Sequence, residues 1–168
     1  MTGRLITLGL DPGLATTGYG VVCAGERGWE ALAGGIIETE SSVPRPERLR
    51  EIYQETTALI EAYRPTGVAI EEVYLATNAR TAMLTAETRG VLLLASAGLA
   101  VRGYSPLAVK KRITGYGRAT KGQVQATIKQ LLRLAEIPRP DDVADGLALA
   151  LCYLFDLQGL ERGGRGHV

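Results

Sequence analysis

The chain has 168 residues, 46% of them apolar and 22% charged, with a formal net charge of +1. That balance fits a folded globular protein long enough to bury a sizeable core, and it excludes a disordered chain. The longest strongly apolar stretch, Val91 to Val101, is too short for a bilayer span of ~20 residues. No secretory pattern opens the sequence, so a cytoplasmic protein with no membrane partner is expected. Cys23 and Cys152 lie far apart inside apolar segments and suggest no disulfide. The sole histidine, His167, stands next to last in a Gly-rich tail, which argues against a zinc site.

Leu5 to Leu10 reads as a buried strand, and Tyr19–Val22 and Trp29–Ile37 as the next two, with turn chemistry from Gly25 to Gly28. Leu49, Ile52, Tyr53, Leu59 and Ile60 recur at helical spacing over Glu47–Tyr63, and Pro65 stops that helix. Gly67–Glu71 is a short buried strand. A helix from Ala79 to about Ala97 follows, with Met83, Leu84, Val91 and Leu94 as core candidates, and then a strand from Ala100 to Tyr104. Ser105 and Pro106 open a short helix that Gly115-Tyr116-Gly117 breaks. Thr120 and Gln123 have capping-box spacing and open a helix from Lys121 to Leu134. The last helix runs from Asp141 to about Leu157. The order predicts an α/β fold: a mixed five-stranded sheet flanked by helices, with an antiparallel hairpin beside parallel crossovers. One domain over residues 1–157 and a flexible Gly/Arg-rich tail over 158–168 are expected.

Acidic side chains punctuate this order in a particular way. Asp11 ends the first apolar run, and Glu71 ends the run Val68-Ala69-Ile70. Glu72 beside it must face the other side of the strand, and alternation alone does not say which of the two faces Asp11. Asp142 and Asp145 are three apart at the start of the last helix. Asp141 or Asp142 would cap that helix, but Asp142 and Asp145 share a face and repel unless something neutralises them. Carboxylates gathered from three segments suit a hard divalent cation, which takes oxygen ligands. Between Thr88 and Ala135 there is no acidic residue, whereas Arg89, Arg102, Lys110, Lys111, Arg112, Arg118, Lys121, Lys129 and Arg133 all fall there. Beside a carboxylate cluster, such a block suits a phosphate backbone better than an idle surface.

The strings L-D-P-G-L-A-T-T-G-Y-G-V-V from Leu10, A-I-E-E-V-Y from Ala69, N-A-R-T-A from Asn78 and A-D-G-L-A-L-A from Ala144 carry a resemblance. In joint order and spacing the sequence resembles the RuvC family of Holliday-junction resolvases, from Leu5 to about Leu157. The resemblance implies a ribonuclease-H-like fold and a homodimer that cuts four-way junction DNA with Mg²⁺ or Mn²⁺. Two ions per site, with substrate bound, suit that chemistry. It implies that Asp11, Glu71, Asp142 and Asp145 are the metal-binding catalytic acids, which selects Glu71 over Glu72. It also implies DNA-contacting roles for Tyr74, Lys110 and Lys121, Lys121 helping catalysis, and partnership with the branch-migration proteins RuvA and RuvB. Lys111, Arg112 and Arg118 are expected to extend the DNA-binding surface. Asp-x-Gly at a first strand also occurs in actin-like and sugar-kinase phosphotransferases, but those pair two such domains around ATP and this chain is too short for that.

Overall fold

The computed structural model describes residues 4–26, 28–74 and 78–159. Its strands are β1 (Ile6–Asp11), β2 (Thr16–Gly25), β3 (Gly28–Glu38), β4 (Gly67–Glu71) and β5 (Ala100–Tyr104). Its helices are α1 (Arg45–Tyr63), α2 (Ala79–Ala95), α3 (Pro106–Thr114), α4 (Lys121–Leu131) and α5 (Asp141–Leu157). The strands form one sheet in the order β3-β2-β1-β4-β5, antiparallel from β3 to β1 and parallel from β1 to β5. This is the expected mixed sheet. Among the described residues no helix is long and apolar enough to cross a membrane.

Alternation along the central strands sorts side chains onto two faces. Leu8 and Leu10 of β1 and Val68 and Ile70 of β4 point to one face, where they pack with Ile52 of α1 and Leu92 of α2. Ala69 of β4 and Val22 of β2 join the other cluster, with Val109 and Ile113 of α3, Val124 and Ile128 of α4, and most of α5. From Gly146 to Phe155 every residue of α5 is buried, so this helix is apolar all round and runs through the core between the sheet and α3 and α4.

Glycines let α5 press onto the sheet. A Cβ at Gly9 would come within 2.0 Å of the Gly146 carbonyl oxygen, and one at Gly20 within 2.5 Å of Leu147 Cα. A Cβ at Gly146 would in turn meet the Tyr19 carbonyl carbon at 2.4 Å. No side chain can stand in these gaps because the obstructing atoms are backbone. Thr7, fully buried on β1, closes the contact by donating its hydroxyl to the Ala150 carbonyl at 2.8 Å.

The elements depart from the sequence reading in instructive places. β2 begins at Thr16 rather than Tyr19, so the whole Thr16-Thr17-Gly18 string is in the strand. α4 ends at Leu131, short of Leu134, because Arg133 takes a left-handed backbone conformation (φ 53°). In α2 the core candidates Met83 and Leu94 are wrong: both are 64% exposed, and the buried residues are Ala82, Thr88 and Leu92. Leu84 and Val91 are half-buried. α2 carries apolar residues over most of its circumference, so composition could not show which stripe meets α1 and the sheet. Neither Asp141 nor Asp142 caps α5; Pro140 holds that position without a side-chain cap. Of the expected tail, residues 160–168 lie outside the described residues, while Gln158 accepts a 2.8 Å hydrogen bond from the Trp29 indole.

Adding one methyl group at the helix–sheet contact should be costly. Gly9→Ala or Gly146→Ala is expected to lower unfolding free energy by about 3 kcal/mol in urea titrations, the upper range for overpacking. Gly90→Ala, on α2 with open space around it, should instead be neutral or stabilise by up to ~1 kcal/mol.

Candidate active site

The Asp-Pro-Gly turn after β1 is built by its neighbours. The Thr17 hydroxyl donates to the Gly13 carbonyl at 2.8 Å, closing the loop that starts at Asp11. Gly18, one residue on, leaves room for the first turn of α5: a Cβ there would meet the Asp142 carbonyl oxygen at 2.1 Å. The motif therefore does two jobs. It ends β1 with Asp11 facing α5, and it admits the helix that carries Asp142 and Asp145.

Glu71 extends the face set by Ala69 on β4, the face toward α5 and Asp11. Glu72 is turned elsewhere, accepting the Tyr74 hydroxyl at 2.6 Å and lying against Gly103. Asp11, Glu71 and Asp145 line a cleft of about 200 Å³ together with Lys110 of α3 and Lys121 of α4. Pro106, Val109, Val124 and Leu149 complete its walls; none is a functional candidate in the sequence, where Pro106 reads as a helix start and the others as ordinary apolar residues. Asp142 does not line the cleft but sits one turn before Asp145, where its charge bears on both Asp11 and Asp145.

The electrostatics show how much negative charge has been gathered. Burial, then the charges of Glu71 and Asp145, push the Asp11 carboxyl from its ordinary 3.8 up to about 8. Glu71 is also raised, chiefly by burial, against the lowering influence of the neighbouring Asp11 and of Lys121. Asp145 is raised chiefly by burial, against the lowering influence of Lys121. Lys121 Nζ stands 3.3 Å from Asp141 Oδ2 and 3.6 Å from Asp145 Oδ2. Burial opposes the charge on Lys121, yet Asp145 and Asp141 together hold its ammonium above the usual range. Asp141, expected only as a helix cap, thus becomes an anchor for Lys121 and for Gln125, whose amide donates to it at 3.0 Å. The capping box at Thr120 and Gln123 is present as expected and fixes where α4, and therefore Lys121, begins.

The other expected contacts scatter. Tyr74 is exposed and borders residues 75–77, which lie outside the described residues. Lys111 is exposed on α3 and Arg118 on the connection to α4, both outside the cleft lining. Arg112 has its guanidinium paired with Asp156, a carboxylate only 10% exposed that also accepts from Arg102 at 2.8 Å and from the Tyr104 hydroxyl. The pair cross-links α3 and α5 and leaves the Arg112 side chain 26% exposed.

Among the described residues, no three carboxylates converge on one ligating point in this arrangement. Their chemistry nevertheless fits a hard divalent cation. The donors are oxygens only, gathered where burial and neighbouring negative charge raise Asp11, with the Lys121 ammonium 3.6 Å from Asp145.

A mixed sheet with carboxylates at the ends of β1 and β4, faced by two more on α5, defines a ribonuclease-H-like nuclease. The family model described as crossover junction endodeoxyribonuclease RuvC matches residues 7–153. A crossover junction endodeoxyribonuclease RuvC from Rubrobacter xylanophilus is 48% identical over 154 residues, covering 90% of this chain and 86% of the relative. Its counterpart from Alkaliphilus oremlandii is 46% identical over 151 residues, covering 89% and 92%. Among solved structures, T. thermophilus RuvC in complex with Holliday junction substrate superposes with a TM-score of 0.87 at 32% identity, covering 92% of this chain and 96% of that one. The chain belongs to the RuvC family.

The shifted Asp11 makes a stability prediction with a definite sign. A carboxyl whose folded pKa is raised binds its proton more tightly in the folded than in the unfolded state. Its contribution to stability therefore falls as pH climbs from about 4 toward about 8. Asp11→Asn should remove that loss. In chelator, the variant should match wild type near pH 4 and exceed it by about 2 kcal/mol at pH 8, read from urea titrations at each pH.

Proposed function

We propose that this chain is a cytoplasmic, homodimeric endonuclease that resolves four-way DNA junctions by paired phosphodiester hydrolysis with Mg²⁺ or Mn²⁺. It acts in recombination and repair alongside RuvA and RuvB. The observation that carries this reading is the juxtaposition of Asp11, Glu71 and Asp145 with Lys110 and Lys121 around one cleft, in a chain of the RuvC family. The solved RuvC in complex with Holliday junction substrate supports the choice of DNA.

In this reading Asp11, Glu71, Asp142 and Asp145 hold two divalent ions. Bound there, the ions supply Lewis-acid stabilisation of the phosphodiester's developing charge and make water a better nucleophile. The protein's own groups do the rest. Lys110 and Lys121 flank the cleft and attract the phosphate, and Lys121 leans from Asp145 toward the charge that builds on the scissile group. Val109, Val124 and Leu149 provide apolar walls that lower the local dielectric and so strengthen both interactions. Tyr74, Lys111 and Arg118 extend the contact beyond the cleft, with the exposed Tyr74 ring available to stack on a base.

Pairing of cuts requires two copies, because each chain holds one acidic set while a junction offers two equivalent strands. Met83 and Leu94 of α2 and Tyr53 of α1 are exposed large apolar side chains, which supports α2 as the face between copies.

The test is direct. With synthetic four-way junctions, Asp11→Asn and Asp145→Asn should each slow cleavage about a thousandfold or more while retaining junction binding in gel-shift titrations. EDTA should stop wild-type cutting, and Mg²⁺ or Mn²⁺ should restore it. Cleavage of ordinary duplexes at the junction rate, or near-normal cutting by either variant, would overturn the reading. Sedimentation should give a dimer that Leu94→Glu dissociates.

A further inference from the structure

Arg89 sits in the acid-free basic block and reads from sequence as one more cation for a phosphate. The structure puts it to a different use. Its Nε donates at 3.1 Å to the main-chain carbonyl of Glu71, and the side chain is part-buried in that contact.

The sheet explains why this carbonyl needs a partner. The Glu72 amide donates to the Tyr104 carbonyl of β5 at 2.9 Å. In a trans peptide the preceding C=O points the opposite way, so the Glu71 carbonyl is directed toward the β1 side. The β1–β4 ladder, however, ends at the pair Leu10 and Ile70. Glu71 stands one residue past it, with no strand to supply a donor. A polar group left there unpaired would cost on the order of 1–3 kcal/mol and would let the peptide rotate to find water. Arg89 supplies the missing donor from α2, and Leu92, one turn further along that helix, is packed in the core against Leu10 and Ile70. The donor is therefore held on a rigid, anchored element.

We propose that Arg89 is a positioning residue: by holding the Glu71–Glu72 peptide it sets the aim of the Glu71 carboxylate and couples α2 to the active-site cleft. This rests on the nuclease reading above and assigns to α2 a role in catalysis separate from any role as a surface. A guanidinium suits the task because its planar fork fixes the Nε–H direction, whereas a lysine ammonium offers charge without that direction.

Single-turnover cleavage of a four-way junction, with enzyme saturating, separates this role from DNA contact. Arg89→Ala is expected to cut at least tenfold more slowly than wild type, with junction affinity within twofold and an unchanged dimer. Arg89→Lys should restore little of the rate, since charge is not what is missing. Hydrogen–deuterium exchange provides a readout that needs no activity: the Glu72 amide should exchange at least tenfold faster in Arg89→Ala, and also in the better-tolerated Arg89→Gln. Weakened junction binding with an unchanged cleavage rate, rescued by lysine, would make Arg89 a phosphate contact and overturn the proposal. So would unchanged exchange at Glu72 in both variants. If wild type itself failed to cut junctions, the functional reading would fall, while the exchange measurement would still decide whether Arg89 holds the peptide.

Discussion

Everything in the site depends on how closely one helix can approach one sheet. α5 carries half of the acids, and it reaches Asp11 because Gly9, Gly18 and Gly20 on the strands and Gly146 on the helix present backbone to backbone. The energetic logic is dispersion and the hydrophobic effect acting at the shortest possible range: apolar surface is buried without an intervening side-chain layer. The functional result is electrostatic. Carboxylates that would avoid one another in water are brought together because the helix is held by its buried run from Gly146 to Phe155, and the acids at its N-terminal end have no freedom to retreat. Burial first, and the neighbouring charges of Glu71 and Asp145 second, raise the pKa of Asp11. Stability of the core is spent on assembling a charge cluster, a trade common at catalytic sites.

The same arrangement holds the two lysines in different ways. Lys121 is placed by a capping box and bonded to two aspartates, so its position is determined before any phosphate arrives. Lys110 lines the cleft from α3, whose attitude depends on Ser105 and Pro106 at one end and on the Arg112–Asp156 pair near the other. The cleft therefore has one wall fixed within its own acidic network and another fixed by remote contacts.

Much of this was legible in the sequence. Pro65, Ser105-Pro106 and the Thr120/Gln123 spacing are local signals with local causes, and the elements they bound fall where those causes put them. The RuvC-like strings imply four catalytic acids, and the structure places three of those residues around one cleft with the fourth a turn away. The failures share a different cause: each needed knowledge of a partner distant in sequence. Met83 and Leu94 resemble core residues until α1 and the sheet claim only the stripe through Ala82, Thr88 and Leu92. Asp141 resembles a cap until Lys121 and Gln125 converge on it. The glycines of β1 and β2 could be read as turn or strand-weakening residues, because the helix that requires their smallness lies more than a hundred positions downstream.

The Asp156 knot also changes how the positive face should be counted. From sequence, the block between Thr88 and Ala135 offers an uninterrupted array of cations to a polyanion. Inside the fold, Arg102 and Arg112 share one nearly buried carboxylate that offsets a single charge of the two, and Arg89 is bonded to a main-chain oxygen. Fewer condensed counterions are then displaced when a duplex arm settles on this surface. Each withdrawn cation flattens the logarithmic dependence of affinity on salt by about 0.9. The protein's grip on DNA is thus less ionic than its composition advertises.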